Sequence, residues 1–294
     1  MFQSVGEIFS QYFDQNKVLL EDNYPGIKLR YLIDQFYRFS GVEYQDNFLI
    51  DFNLQEQIEN FFLQLEEGKP FQYISGIAHF YGRDFIVNSN VLIPRQETEI
   101  LADEVINLIK KNKLENLRIL DLATGSGCIG LTIFAEVGTK IKELILSDIS
   151  KSALEVASIN LEKLKYEFTS NGRIELVQSD LFQNIRGKFN LIVSNPPYIK
   201  RKKNLKDVHP QVLKYEPDVA LFVDDEKYTE FFQQLFLETR QFLLVNGIFF
   251  MEGHEDSLDE LEKLWNSNFP SDKTKILLDL TNRKRFLLVK KDGE

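Results

Sequence analysis

The fold is decided by residues 119–130, which read ILDLATGSGCIG. The apolar run at the start of this stretch predicts a strand, and the pattern from Cys128 onward predicts a helix. Glycines at positions 125, 127 and 130 satisfy the G-x-G-x-x-G spacing. Such glycines permit a tight turn and let a ligand approach the backbone amides at the positive end of a helix. The stretch therefore predicts a cofactor site between a strand and a helix.

Signals for strands and helices alternate from Glu97 to the carboxyl end of the chain. The pattern predicts strands over residues 118–122, 143–147, 174–177, 189–194 and 248–251, and helices over 128–135, 151–164, 229–244 and 258–266. Alternation of this kind is typical of a parallel sheet with helices on its faces. Two final apolar runs, at 276–280 and 286–289, are expected to close the sheet as a hairpin.

The first 95 residues carry a different pattern. Apolar side chains recur at helical spacing as far as Gly68, and Pro25 with its polar surroundings divides them into several short helices. Gly41 and Gly68 are expected to end helices. Residues 71–94, with glycines at 76 and 82, are typical of a short hairpin. We therefore expect a helical bundle at 1–75, a hairpin linker at 76–95 and an α/β domain at 96–294.

Composition excludes several classes of protein. The 294 residues include 35 Lys and Arg against 45 Asp and Glu, a net charge of −10 that disfavours extended contact with nucleic acid. The single cysteine, Cys128, cannot form an internal disulfide or a cysteine-rich zinc site, and the three histidines do not have metal-site spacing. No apolar run reaches the roughly 18 residues that span a bilayer. We expect a soluble cytoplasmic protein without a metal ion.

Two carboxylates flank the glycine loop. Asp148 lies 21 residues after Gly127 at the end of the next predicted strand, where it can accept a hydrogen bond from a ribose hydroxyl. Asp121 lies at the mouth of the first strand, where its charge would repel a pyrophosphate and attract an ammonium group. The pair favours S-adenosylmethionine over NAD. Alternatively, Asp121 caps the loop by accepting hydrogen bonds from its amides, which would suit either cofactor.

Two polar residues also follow the third predicted strand, at the start of residues 179–182, which read SDLF. Asp180 could accept a hydrogen bond from an adenine amino group, and Leu181 with its apolar neighbour could stack on the ring. The alternative interpretation is a turn capped by Asp180. These residues alone do not separate the two.

The segment Asn195-Pro196-Pro197-Tyr198 follows the predicted strand at 189–194. The prolines hold the backbone extended, at the strand end where parallel sheets bind ligands. The Asn195 side-chain oxygen and the Pro196 carbonyl can accept both hydrogens of a planar NH2 group. If they aim its nitrogen at an activated methyl group, they supply proximity and become stronger as positive charge develops. Tyr198 would form a wall of this slot; the bland alternative is a strand-ending turn.

These residues resemble the class I S-adenosylmethionine-dependent methyltransferases and, among them, the protein-(glutamine-N5) methyltransferases that modify peptide chain release factors. The resemblance is carried by residues 195–198, by residues 123–127 and by residues 92–99, which read LIPRQETE. It extends to Glu216, Pro217, Ala220, Leu221, Asp279, Leu280 and Arg285. It implies a Rossmann-like α/β fold with a seven-stranded, mostly parallel sheet and an antiparallel last strand.

The resemblance also implies an activity: methylation of the glutamine in a Gly-Gly-Gln loop, which promotes translation termination. By position, the cofactor-binding residues would be Ala123, Thr124, Gly125, Ser126, Gly127, Asp148, Leu181 and Asn195, beside Asp121 and Asp180. The glutamine would be bound by Asn195, Pro196, Pro197 and Tyr198, with contributions from Arg95 and Thr98. The helical bundle would recognise the substrate, and the enzyme would act as a monomer. Ala123 stands where the family often has glycine. The methyl group of alanine should be tolerated there unless this residue needs a positive φ.

Three other functions compete with this interpretation. A nucleic-acid amino methyltransferase could use the same slot, but the acidic charge and the segment at 92–99 count against it. A non-catalytic scaffold is disfavoured by the intact Asn195, and an NAD-dependent oxidoreductase by Asp121. The basic run from Lys200 to Lys203 is interpreted as a solvated loop; it could instead contact an acidic patch or RNA.

Overall fold

The computed structural model describes residues 4–42 and 52–293. Within them the helices are α1 Val5–Gln15, α2 Lys17–Asn23, α3 Leu29–Ser40, α4 Phe52–Glu66, α5 Phe71–Ser75, α6 Gln96–Lys111, α7 Cys128–Val137, α8 Lys151–Leu164, α9 Pro210–Tyr215, α10 Asp218–Leu221, α11 Tyr228–Phe242 and α12 Leu258–Asn268. The strands are β1 Ile77–Phe80, β2 Arg83–Ile86, β3 Leu117–Leu122, β4 Ile141–Asp148, β5 Arg173–Gln178, β6 Phe189–Ser194, β7 Ile199–Lys200, β8 Phe222–Val223, β9 Leu243–Glu252, β10 Lys273–Leu278 and β11 Lys284–Lys290.

A seven-stranded sheet in the order β10-β11-β9-β6-β3-β4-β5 organises the fold. Strands β9, β6, β3, β4 and β5 run parallel, whereas β11 runs antiparallel to both of its neighbours. The expected terminal hairpin is β10 and β11. The predicted fold class, an α/β fold with a mostly parallel seven-stranded sheet behind a helical region and a hairpin, is confirmed.

Helices cover both faces of this sheet because each face carries its own apolar core. One core joins α6 and α7 to the sheet through Leu101, Val105, Ile133 and Phe134. The opposite core joins α11 and α12 through Phe232, Phe236 and Trp265, with the Phe236 ring 5.1 Å from the Trp265 ring. Because helices bury both faces of the sheet, ligands are expected to bind at the carboxyl ends of the parallel strands.

The helices before the sheet have their own apolar core, in which the Phe9 and Phe36 ring centroids lie 5.0 Å apart. Helix α3 ends at Gly41, whose φ of +68° a side chain would strain, as the sequence predicted. Residues 71–75 are a helix rather than the start of the expected hairpin, whose strands span only 77–86. Residues 1–3, 43–51 and 294 of the predicted domains lie outside the described residues.

The helical region contacts the α/β region through α9. The Tyr215 hydroxyl donates to the Glu67 carbonyl at 2.6 Å, and Gln211 Nε2 donates to the Gly68 carbonyl at 2.8 Å. These bonds satisfy carbonyls just beyond the end of α4. In the described ranges, no helix is both long and apolar enough to cross a membrane.

Candidate active site

A cavity lies at the carboxyl ends of the parallel strands. Its polar and glycine-loop lining comes from the ends of β3, β4, β5 and β6, and a segment before α6 covers it, together with apolar residues from later elements. The lining includes Asn90, Val91, Leu92, Pro94, Arg95, Thr98, Leu122, Ala123, Thr124, Gly125, Ser126, Asp148, Asp180, Leu181, Asn195, Pro196, Pro197, Val219, Phe231 and Leu235. Most of the predicted site residues therefore meet in one place. Asp121 and Gly127 do not line this cavity, and Tyr198 lines an adjoining groove.

The glycine loop is held in left-handed backbone conformations. The φ angles are +59° at Ala123, +56° at Gly125 and +81° at Gly127. The Thr124 amide donates to the Ser147 carbonyl of β4 at 2.9 Å, which fixes the loop against the neighbouring strand. Ala123 thus needs the positive φ that glycine adopts freely, and its methyl group introduces strain of about 1–2 kcal/mol.

The third glycine of the motif serves packing. A Cβ atom at Gly130 would lie 2.5 Å from Leu146 Cδ2 and 2.9 Å from Asp121 Oδ2. Helix α7 can therefore approach β3 and β4 closely only because this position lacks a side chain. This close approach places the start of α7 behind the loop.

Asp121 makes the hydrogen bonds of the alternative interpretation, in which it caps the loop. Its side chain is fully buried, and Oδ2 accepts hydrogen bonds from Thr124 Oγ1 at 2.6 Å and from the Gly130 amide at 2.9 Å. Oδ1 has no hydrogen-bond partner in the described part of the chain. Burial raises the pKa of Asp121 to about 7. The carboxyl group thus caps the loop and does not line the cavity.

Asp148 is held by the loop that it was expected to flank. Its Oδ2 accepts from the Gly125 amide and its Oδ1 from the Ser150 amide, each at 2.9 Å. Burial raises the pKa of Asp148, against the opposing effect of these hydrogen bonds. Each carboxylate oxygen keeps a further lone pair for a donor in the cavity. The two oxygens can therefore accept from the neighbouring hydroxyls of a ribose, so this pair of acceptors fits a nucleoside.

The segment that follows β5, at residues 179–182, also reaches the cavity. Leu181 has a φ of +44° and lines the cavity with the exposed Asp180. The turn that follows is capped by Ser179, whose Oγ accepts from the Asn184 amide at 3.0 Å. The Asp180 carboxylate is therefore not needed as the cap. Strained backbone at a cavity wall is common in ligand sites, since the surrounding structure fixes it there.

Asn195 belongs to a partly buried chain of hydrogen bonds. Its Nδ2 donates to Thr98 Oγ1 at 3.3 Å, and the Thr98 hydroxyl donates to Glu252 Oε2 at 2.7 Å. The Tyr198 hydroxyl donates to Glu252 Oε1 at 3.0 Å. Burial raises the pKa of Glu252, against the effect of the hydroxyl donors and of the nearby Arg285. The site thus holds a carboxyl group that orders three neighbouring side chains.

Arg95 lines the cavity but is already paired. Its guanidinium lies 2.6 Å from Glu216 Oε1, and Glu216 Oε2 accepts from the Ile93 amide at 3.1 Å. Glu216 is buried. The pair therefore fastens the segment before α6 across the cavity, which is a different use from direct contact with a substrate.

Sequence reasoning missed Glu252. It ends β9 one residue after Met251, which is paired in register with Ser194 at the end of β6. Glu252 is therefore brought beside Asn195 by the strand register. A carboxylate at or next to the end of an apolar strand was the available signal, as it had been for Asp148 and Asp121.

The basic run from Lys200 to Lys203 is largely neutralised by its surroundings. Lys200 Nζ lies 3.4 Å from Glu260, Arg201 lies 3.0 Å from Asp218, and Lys202 pairs with Glu226. Local ion pairs reduce the field available to a distant phosphate. Among residues 4–42 and 52–293, no three His, Cys, Asp or Glu side chains cluster to hold a metal ion.

Comparisons with known proteins give a consistent result. Residues 97–219 match the family model described as the methyltransferase small domain. The chain is 38% identical over 237 residues to a release factor glutamine methyltransferase of Leptospira interrogans, covering 77% of each chain. It is 37% identical over 212 residues to one from Flavobacterium psychrophilum, covering 70% of this chain and 72% of the relative. Among solved structures, the hMettl16 catalytic domain in complex with MAT2A 3'UTR hairpin 6 is 14% identical, with a TM-score of 0.55 over 92% of this chain and 94% of that one, a similarity of fold.

Proposed function

Since the chain belongs to the family of release factor glutamine methyltransferases, we propose that it methylates the side-chain amide nitrogen of the glutamine in the Gly-Gly-Gln motif of peptide chain release factors. The methyl donor is S-adenosylmethionine, and the product is S-adenosylhomocysteine. One observation carries the proposal beyond the family: the glycine loop, Asp148 and Asn195 line the same cavity. A bound donor and an amide would therefore meet there.

The residues around the glycine loop suit the donor. Asp148 offers two acceptor oxygens to the ribose, and the strained Leu181 and exposed Asp180 form the wall proposed for adenine. Ala123, Thr124, Gly125 and Ser126 bring backbone close to the ligand, and Gly127 gives the turn its shape. The donor supplies an activated methyl group when it is bound; these residues orient it.

Asn195 and the Pro196 carbonyl then hold the substrate nitrogen. An amide nitrogen is a weak nucleophile because its lone pair is delocalised, so its position toward the methyl group decides the rate. The acceptors strengthen their bonds as the nitrogen gains positive charge in the transition state. Pro197 keeps the segment extended, and Tyr198, fixed by Glu252, forms the wall of the slot.

We also propose that the protein acts as a monomer in the cytoplasm and does not bind extended nucleic acid. The residues proposed for both ligands come from one chain. The net charge of −10 and the ion pairs of the basic run support a protein substrate. The helical region, joined to α9 beside the groove that Tyr198 lines, would recognise that substrate.

A transfer assay tests the proposed function. The protein is incubated with methyl-labelled S-adenosylmethionine and a bacterial release factor, total tRNA or genomic DNA, and label is counted in each acceptor. We expect label in the release factor with the wild-type chain and none with Asn195→Ala, while calorimetry shows donor binding retained in the variant. Efficient labelling of the nucleic acids with none in release factor would overturn the proposal.

A further inference from the structure

Thr98 and Glu252 have no direct part in the proposed reaction, yet both are almost completely buried beside Asn195. Thr98 is 2% exposed and Glu252 is 1% exposed. Thr98 comes from the first turn of α6, whereas Glu252 ends β9, 154 residues later. Buried polar side chains of this kind persist where their hydrogen bonds fix a geometry.

While Glu252 is ionised, the hydrogen bonds among these side chains run in only one direction. An ionised carboxylate accepts and cannot donate. Glu252 therefore accepts from the hydroxyl groups of Thr98 at 2.7 Å and Tyr198 at 3.0 Å. The Thr98 hydroxyl has a single hydrogen, which it donates to Glu252. Towards Asn195, Thr98 Oγ1 can therefore only accept. Asn195 must present its NH2 group to Thr98, 3.3 Å away.

We infer that Thr98 and Glu252 are positioning residues, which turn the Asn195 amide so that its oxygen, and not its nitrogen, is offered to the substrate. This inference rests on the proposed function. In the reversed orientation, Asn195 would direct two N–H groups at the NH2 group of the substrate. With the oxygen outward, Asn195 accepts from that NH2 group.

The same hydrogen bonds determine which substrate side chain is accepted. A glutamate in place of the substrate glutamine has only acceptor oxygens. It would meet the Asn195 oxygen and the Pro196 carbonyl, with no hydrogen to give either of them. Discrimination against an isostere whose polar groups mismatch a buried site is large, whereas shape alone gives little. Thr98 and Glu252 therefore enforce the choice of an amide over a carboxylate.

Thr98→Val and Thr98→Ser test this inference as a matched pair. Valine keeps the shape of threonine without the hydroxyl group, and serine keeps the hydroxyl group. The substrates are a release factor and its version with glutamate at the methylated position. We expect Thr98→Val to lower kcat roughly 10- to 100-fold with donor affinity unchanged, and Thr98→Ser to restore most of kcat.

Binding of the two release factors gives the readout that a purely structural role would not change. We expect the preference for the glutamine form over the glutamate form to fall roughly tenfold or more in Thr98→Val. Glu252→Gln is the second variant: its amide can donate to Thr98, which frees Thr98 to donate to Asn195 and permits the reversed orientation. The same loss of preference is expected there.

The outcomes separate the inference from the proposed function. If the wild-type chain transfers no methyl group to the release factor, the proposed function fails. If the wild-type chain is active, and the folded variants Thr98→Val and Glu252→Gln keep its kcat and its preference for glutamine, the positioning role is overturned.

Discussion

At the scale of single residues, Asp121 shows how an interior changes a carboxyl group. Its pKa is about 7, because burial favours the neutral form more strongly than the hydrogen bonds from Thr124 and Gly130 favour the charged one. The folded protein thus holds this proton at pH values where the unfolded chain releases it. Linkage requires the free energy of unfolding to fall as pH rises from about 4 to about 7 through this group.

A comparison with Asp121→Asn isolates this effect from the other titrations. Between pH 5 and 7 we expect the wild-type free energy of unfolding to fall relative to the variant by up to about 1.4 kcal/mol per pH unit. Above pH 8 the free energies of unfolding of the wild type and the variant should change with pH in parallel. Urea titrations at several pH values measure this, and a difference that stays constant with pH would contradict it.

Ala123 carries strain that can be removed. Its φ of +59° is accessible to glycine without steric cost. We expect Ala123→Gly to raise the free energy of unfolding by up to about 1 kcal/mol. The matched control is Ala135→Gly within α7, which should lower it by about 0.5–1 kcal/mol. Denaturant titration gives both values, and equal destabilisation by the two changes would refute the strain.

Asp148 is expected to hold the ribose of the donor. Asp148→Ala removes a partly buried charged acceptor and the bond that fixes Gly125, so we expect at least a tenfold rise in the Kd for S-adenosylmethionine. Glu155→Ala, on the exposed face of α8, is the control and should leave the Kd unchanged. Calorimetry measures both, and unchanged binding in Asp148→Ala would remove the ribose assignment.

At the scale of secondary structure elements, Asn160 joins three parts of the fold. From α8, its Nδ2 donates to the Ile86 and Ser126 carbonyls, each at 2.9 Å, and its Oδ1 accepts from the Ile86 amide at 2.6 Å. The hairpin and the glycine loop are therefore fastened to the same buried side chain. An asparagine can do this because it donates and accepts at once.

We expect Asn160→Ala to lower the free energy of unfolding by about 2–4 kcal/mol, since three backbone groups, one buried and two part-buried, lose their partner. Asn107→Ala is the control: Asn107 is exposed on α6 and bonds only Asp103 among the hydrogen bonds described, so its loss should cost about 0.5 kcal/mol or less. Chemical denaturation compares them. A cost for Asn160→Ala no larger than the control's would contradict the joining role.

The elements themselves were largely predictable where apolar periodicity was continuous. Helix α8 and strand β6 have the predicted limits because each is bounded by a cap or a break. The prediction failed at residues 71–75, because their tyrosine and isoleucine have strand propensity. In the structure Phe71 and Ile74 pack in the core of the helical region, and the segment is helical. Helix α11 ends two residues before the predicted limit of 244, because β9 begins at Leu243. The apolar residues of the helix and the strand form one continuous run, so the sequence does not mark the boundary.

At the scale of the whole molecule, the sequence predicted which segments meet but not which way their side chains face. Parallel strands share one carboxyl edge, so the glycine loop, Asp148 and Asn195 had to converge. Burial of Asp121 and the relay through Glu252 depend on how closely α7 and β9 approach their neighbours. Such distances are set by packing, which one sequence does not display.

The charge of the molecule also gains a more specific meaning. A net charge of −10 disfavours polyanions in general, and the structure adds that Lys200, Arg201 and Lys202 of the basic run are paired with acidic side chains. An enzyme that extrudes a base from nucleic acid needs positive surface around its pocket. The charge distribution is thus consistent with a protein amide as the substrate.

The most direct measurement is to locate the added methyl group. A bacterial release factor is incubated with the protein and S-adenosylmethionine, digested, and sequenced by tandem mass spectrometry, with Asn195→Ala as the control. We expect one methyl group, on the side chain of the Gly-Gly-Gln glutamine, and none with the variant. A methyl group at another residue, or an unmodified release factor beside methylated nucleic acid, would contradict the proposed function.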